Sequence, residues 1–225
     1  MKQIQKGEWT MKVLVAGANG HTGRLVVRYL KEKGHEPLAL IRDEKQADTL
    51  KELGAVPVIG DLEKDVTDAV KQAEAVIFAA GSGSKTGADK TIAVDQEGAK
   101  RLVDTAKKEN IQHFVMLSAY NADDPKQGKG QGSMETYYEA KRKADEHLKQ
   151  SGLSYTIVRP GALLHEEKTG KIEAAEHIPD DQNIEISRED VAIVLVESLT
   201  ESNVKNKSFD LIKGDKPIEE ALRHL

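Results

Sequence analysis

Short, almost wholly apolar runs alternate with longer amphipathic stretches along this chain. Lys12–Ala16 opens the pattern as a Val- and Leu-rich run, and a helical pattern follows from about His21 to Lys33, where Gly34 supplies a C-terminal stop. Pro37–Ile41 reads as a second strand, and Asp43 as the N-cap of the next helix, with Gln46 three residues on. Val56–Ile59 is a third strand, Asp65–Gln72 a short helix and Ala75–Ala80 a fourth strand. A long helix is expected from about Ala88 to Glu109, with Ile92, Leu102, Val103 and Ala106 toward the core. His113–Ser118 is a fifth strand, Ser133–Gln150 a helix and Tyr155–Val158 a sixth strand. The remainder predicts a short strand at Lys171–Ala174, a helix from Arg188 to Leu199, a strand near Ser208–Ile212 and a terminal helix from Pro217. Strands that are apolar throughout, and separated by helices, imply a parallel sheet buried on both faces, an α/β doubly wound architecture.

Composition narrows the function classes. A formal net charge of −5 and a pI near 5.9 argue against a nucleic-acid partner, which would call for a basic stripe. The absence of cysteine excludes disulfides, thiolate zinc sites and cysteine nucleophiles. The seven histidines show no metal-ligand spacing, so no metal site is expected. The longest apolar runs, such as Val76–Ala80 and Val191–Val196, are too short to cross a bilayer, and residues 1–10 lack the apolar middle of a secretory signal. The expectation is a cytoplasmic protein with no membrane association. Residues 1–10 read as an N-terminal extension, and residues 11–225 as one domain in which 161–225 contribute a small cap.

The first strand runs directly into Gly17-Ala18-Asn19-Gly20-His21-Thr22-Gly23. In such a loop the first glycine makes the turn, the second lets backbone approach a pyrophosphate, and the third lets the helix pack closely. The helix N-terminus offers unpaired N–H groups to phosphates. Gly17, Asn19, Gly20, His21, Thr22 and Gly23 are therefore candidate dinucleotide contacts on a Rossmann-type sheet. An NAD-binding unit usually ends its second strand in an acid that holds the ribose hydroxyls. Here that place falls at Ile41, followed by Arg42. A guanidinium suits a 2′-phosphate, so NADP is expected over NAD. The competing reading makes Arg42 an exposed helix-entry residue paired with Asp43 or Glu44.

These segments resemble the short-chain dehydrogenase/reductase superfamily, in its atypical NmrA-like and epimerase/dehydratase-like branch. The resemblance runs from Met11 onward and rests on GANGHTGR at 17–24, LIRD at 40–43, GDL at 60–62, FAAG at 78–81, LSA at 117–119, YYEAK at 137–141, YTIVRPGAL at 155–163 and SREDVA at 187–192. It implies that Asp61 and Leu62 lie against the adenine, that Ala79, Ala80 and Gly81 pass under the adenine-side ribose, and that Pro160, Gly161 and Ala162 border the nicotinamide. Turn capping by Asp61, sheet packing by the small residues and a plain Pro-Gly turn are the alternatives.

Tyr137 and Lys141 stand four apart on the helix of 133–150 and so share a face. In the superfamily the ammonium lowers the phenol pKa and binds the nicotinamide ribose, while the tyrosine exchanges a proton with the substrate. Ser118 ends the fifth strand as the candidate hydroxyl, but Ala119 follows where a second hydroxyl residue is common. The leading expectation is an NADPH-dependent oxidoreductase that passes hydride to a small carbonyl, quinone-like or related substrate. Ala119 motivates the alternative, a non-catalytic NADP sensor acting through a protein partner. A sugar-nucleotide epimerase or dehydratase is a weaker third reading, because the C-terminal segment is short.

Overall fold

The first apolar run forms β1 (Lys12–Ala16), and its position decides the rest of the molecule. It pairs in parallel with β2 (Glu36–Ile41) on one side and β4 (Ala75–Phe78) on the other. With neighbours on both edges and helices on both faces, it can carry only apolar side chains after Lys12. The computed structural model describes residues 10–83, 86–179 and 183–225. Among these, a nine-stranded sheet runs in the order β11-β8-β10-β6-β5-β4-β1-β2-β3. The added strands are β3 (Val56–Ile59), β5 (His113–Leu117), β6 (Tyr155–Pro160), β8 (Lys171–Ala175), β10 (Lys207–Lys213) and β11 (Lys216–Pro217). From β3 to β10 all neighbours are parallel, while β8 and β11 add antiparallel strands at one edge. Strand order reverses between β1 and β4, the switch point outside which such sheets bind ligands.

The period-two alternation of the strands sorts their side chains into two cores. Val13, Val15, Ala39, Ile41, Ile77, Val115 and Val158 meet Val26, Val27 and Leu30 of α1 (His21–Glu32) and Val191, Val194 and Leu195 of α7 (Arg188–Glu197). Leu14, Ala16, Leu38, Leu40, Val76, Phe78, Phe114 and Met116 meet Leu102, Val103 and Ala106 of α5 (Ala99–Lys108) and Ala144 and Leu148 of α6 (Ser133–Gln150) on the opposite face. Each fully buried Val or Leu contributes roughly 1.5–3 kcal/mol of transfer free energy. Local chemistry sets the ends: Gly34, at φ +82°, follows α1, and the Asp43 side chain accepts the Lys45 N–H at 2.9 Å before α2 (Ala47–Glu52). The Asp65 side chain accepts the Thr67 N–H at 2.9 Å where α3 (Thr67–Val70) begins.

Two departures from the sequence expectation bear on the site. The helix of 88–109 is not continuous α-helix: α4 (Ala88–Lys90) passes through a π-helical stretch, Thr91–Gly98, into α5. Wider turns shift the inward face, so Thr91 and Asp95 are buried while Ile92, expected in the core, is 42% exposed. The second is a separate pair of parallel strands, β7 (Ala162–Leu164) and β9 (Glu185–Ser187), which the pattern did not reveal. The rest of the expected cap is divided among β8, β10 and β11 in the main sheet, α7 against α1, and α8 (Ile218–Arg223), which packs on β8. Of the N-terminal extension, residues 1–9 lie outside the described residues.

Candidate dinucleotide and acceptor site

The loop after β1 is dictated by close backbone contact. Gly17 has φ +83°, and a Cβ there would stand 2.5 Å from Ala80 Cα and 2.7 Å from Ala79 C. A Cβ on Gly23 would lie 2.0 Å from the Gly17 carbonyl oxygen, so the first turn of α1 rests directly on the loop that precedes it. Gly20 is the N-cap, in extended conformation, with no side chain capping the helix and no acidic residue in its first turn. A Cβ at Gly20 would meet only the Gly17 oxygen within 4 Å, at 3.3 Å. The first-turn N–H groups thus keep the partial positive charge and free donors that a diphosphate needs. The residues present fit a dinucleotide. Thr22 is buried, His21 is exposed with its ring edge-on to His165 at 4.8 Å, and Asn19 holds Arg24 through two guanidinium contacts to its Oδ1 at 2.6 and 3.1 Å. Arg24 is therefore committed to the loop itself.

Arg42 follows β2, exposed and with no partner among the described residues, and Asp43 spends its carboxylate on the cap. The competing pairing of Arg42 with Asp43 or Glu44 is not formed. Asp61, after β3, accepts the Glu63 N–H at 3.0 Å, the turn-capping alternative, and Leu62 is a core residue whose carbonyl accepts from Arg101. Ala79 and Ala80 lie against Gly17, and Gly81 is exposed beside Asp95. Pro160 ends β6; Gly161 is required by the backbone of Ile184, whose oxygen would be 2.0 Å from a Cβ there; Ala162 is exposed at the start of β7. Close packing alone accounts for Gly161.

The chain belongs to the NAD(P)H-binding family. Its family model matches residues 17–202, from the first loop glycine through α7. A protein of Bacillus subtilis called an uncharacterized sugar epimerase, YhfK, is 42% identical over 219 residues, covering 96% of this chain and 100% of its own. Sanguinarine reductase of Eschscholzia californica is 30% identical, over 92% of this chain and 90% of its own. A solved Bacillus halodurans structure, provisionally described as an NAD-dependent epimerase/dehydratase, superposes with TM-score 0.91 at 44% identity, over 96% of this chain and 100% of that one. The protein is thus an NAD(P)-binding, oxidoreductase-like Rossmann protein, and no helix of the described residues is long and apolar enough to cross a membrane.

At the other end of the same sheet edge, α6 presents Tyr137, Lys141 and Asp145, four residues apart, toward β5 and the π-helical stretch. Lys141 is buried; its Nζ donates to the Leu117 carbonyl at 3.2 Å, lies 3.5 Å from Asp95 Oδ1 and is 5.8 Å from the centre of the half-buried Tyr137 ring. Burial works to lower the Lys141 pKa, but attraction to Tyr137, Asp95 and Asp145 outweighs it and leaves it raised. The phenol of Tyr137 is also raised rather than lowered. Burial pushes it up, and Lys141 pulls it down without prevailing, because Asp95 and Asp145 push it up again. Ser118 is buried, and its hydroxyl donates to Asp145 Oδ2 at 2.7 Å. Burial raises the Asp145 carboxyl to about 6, against the opposing pull of Ser118, Arg159 and Lys141.

Reading the sequence did not single out Asp95, Asp145 or Arg159. Arg159 is 2% exposed, 2.7 Å from Asp123 Oδ2 and 3.7 Å from Asp145 Oδ2. The signals were present. Asp145 continues the Tyr137–Lys141 spacing by one more step of four, and Arg159 interrupts an apolar strand, where a charge must be paired.

Proposed function

We propose that the chain is an NADPH-dependent oxidoreductase that passes hydride between the cofactor and a small organic acceptor of carbonyl, quinone-like or related type. The observation that carries the reading is the pairing, along one sheet edge, of an uncapped α1 N-terminus above Gly17–Gly23 with the Tyr137–Lys141 face of α6. The unpartnered Arg42 supports NADPH over NADH, since its fork is free for a 2′-phosphate. The bound cofactor would supply the hydride. Gly20, His21, Thr22 and Gly23 would hold its diphosphate, Asp61 and Leu62 would border its adenine, and Lys141 would hold its nicotinamide-side ribose. Tyr137 would supply the proton when the acceptor demands one.

The test measures NADPH affinity by titration and NADPH oxidation against a panel of carbonyls and quinones. Tyr137→Phe should keep the affinity and lose turnover with any acceptor that takes up a proton; unchanged turnover removes Tyr137 from the mechanism. A second reading, an NADP sensor that signals to a protein partner, is favoured by the Ser118 hydroxyl being committed to Asp145. Cofactor-dependent capture of a partner with no oxidation of NADPH would select it.

A further inference from the structure

Ser118 stands beside the Tyr137–Lys141 pair, since Lys141 donates to the carbonyl of its neighbour Leu117. Its hydroxyl hydrogen, however, is turned onto Asp145 Oδ2 at 2.7 Å. What Ser118 can offer a ligand is therefore decided by Asp145. That carboxyl is 2% exposed and takes this one hydrogen bond among the described residues, while its Oδ1 is buried without a partner. Asp190 is as deeply buried, but its two oxygens accept from the Thr169 and Gly170 N–H groups and from the Thr169 and Ser187 hydroxyls. A buried carboxylate needs several such donors, whereas a carboxylic acid has a hydrogen of its own to give and less charge to satisfy. Asp145 lacks the support that Asp190 has.

The cations around Asp145 are engaged elsewhere. Arg159, on β6, lies 2.7 Å from Asp123 Oδ2, and its Nε stands 3.7 Å from Asp145 Oδ2 without forming a hydrogen bond. Lys141, one turn earlier on α6, faces Asp95 of the π-helical stretch as well as the Leu117 carbonyl. Lys149, one turn later, is exposed, and Tyr137 completes the titratable groups that interact with Asp145. Burial outweighs the pull of these cations and of Ser118, and raises the carboxyl to about 6.

We propose that Asp145 is a positioning residue that reverses the Ser118 hydrogen bond: ionised, it holds the Ser118 hydrogen away from the acceptor, and protonated, it donates to Ser118 Oγ and frees that hydrogen for the acceptor oxygen. The inference rests on the hydride-transfer reading and makes that site respond to pH. Hydride adds to the carbonyl carbon, the C=O π pair moves to oxygen, and that oxygen takes its proton from Tyr137. Ser118 keeps its own proton and only hydrogen-bonds the oxygen as charge develops there. The commitment of Ser118 to Asp145 is then a property of the ionised form alone.

The first measurement is kcat/KM for phenanthrenequinone at saturating NADPH, above the uncatalysed rate, from about pH 8 to about pH 5. The wild type should rise roughly 3–10-fold as pH falls through about 6, the effect of one neutral hydrogen bond. Ser118→Ala should lose the rise, because no hydroxyl is left to turn. Asp145→Asn should also lose it and stay near the low-pH wild-type level, since its amide can donate to Ser118 Oγ at every pH. Titration of the cofactor phosphate is common to all three proteins. A flat wild-type profile, or a rise kept in either variant, overturns the proposal; if Asp145→Asn does not fold, Ser118→Ala decides. Infrared difference spectra between the two pH limits supply a readout besides turnover. A buried protonated-carboxyl band should appear in acid, vanish in Asp145→Asn and shift in Ser118→Ala. Absence of that band overturns the proposal. The band, seen in a chain that reduces no acceptor, sustains the reversal at Ser118 and overturns the hydride-transfer reading.

Discussion

Two buried groups should give the folded chain opposed responses to acid that nearly cancel, and removing either should expose the other. Asp145 is raised from 3.8 to about 6 by burial, and His113 is lowered from 6.5 to about 4, also mainly by burial. The His113 ring is fixed as a neutral species. Thr156 Oγ1 spends its hydrogen on the Val204 carbonyl at 2.9 Å, so it accepts from His113 Nε2 at 3.1 Å, and Nδ1 then accepts from Ser154 Oγ at 2.9 Å. Between the free and folded values of Asp145 the folded state binds the extra proton, so stability rises as pH falls from about 6 toward 3.8. For His113 the unfolded state binds the extra proton, so stability is present above 6.5 and is lost as pH falls toward about 4. Both side chains are under 5% exposed, so neither shift is discounted for solvent screening. Going from neutral pH to about pH 4.5, Asp145 contributes about +2 kcal/mol and His113 about −2.5 kcal/mol.

Urea unfolding at the two pH values, followed by circular dichroism, measures the sum. Relative to the wild-type change, Asp145→Asn should lose about 2 kcal/mol more on acidification, and His113→Gln should gain about 2.5 kcal/mol. The double variant should return close to the wild-type slope, whatever each substitution does to stability at neutral pH. Other titrating groups, Asp210 and His35 among them, are common to all four proteins and drop out of the comparison. Parallel pH slopes for wild type and both single variants would refute the reasoning.

Arg42→Ala should weaken NADPH binding more than about tenfold and leave NADH binding nearly unchanged, as read by calorimetry; equal losses remove Arg42 from the 2′-phosphate site. Gly17→Ala, which combines positive φ with a Cβ 2.5 Å from Ala80 Cα, should cost about 2–3 kcal/mol or abolish folding, seen as a fall in Tm. Gly34→Ala has the same sign of φ but nothing within 4 Å of a Cβ, so it should cost only about 1 kcal/mol, and equal effects at the two positions would show that backbone crowding is not what fixes the loop.

The fold was legible because its strands are buried on both faces. Val13, Leu14, Val15 and Ala16 have no polar position to confuse with an amphipathic helix, and Gly34 and Asp43 mark ends by local chemistry alone. The glycine loop was legible for the same reason, since Gly17 and Gly23 answer contacts within a few residues or one strand away. Ile92 failed because a π-helical turn breaks the 3.6-residue phase, and no residue type announces that break. β7 and β9 failed because three-residue strands 20 residues apart depend on a long-range pairing with little local pattern. The net direction of the Tyr137 shift was not legible in the spacing alone. The i, i+4 spacing puts Lys141 beside Tyr137, where the ammonium does draw the phenol pKa down, but burial outweighs it, and Asp95, which reaches the lysine from another helix, adds to the rise.

That last dependence links the fold anomaly to the site. Had the segment from Ala88 to Lys108 been one α-helix, the face that carries Leu102, Val103 and Ala106 would have carried Ile92 toward the core, as expected from the pattern. The π-helical stretch turns Thr91 and Asp95 inward instead, where Asp95 accepts the Ser82 N–H at 2.8 Å and lies 3.5 Å from the Lys141 ammonium. Burial raises the Tyr137 phenol, Lys141 draws it down, and Asp95 adds to the rise, so the net shift is upward. With Asp95 beside it, and Tyr137 and Asp145 near, the Lys141 pKa is raised despite burial, so the ammonium keeps its charge next to the phenol. A local change in helical winding therefore sets the charge that faces Lys141.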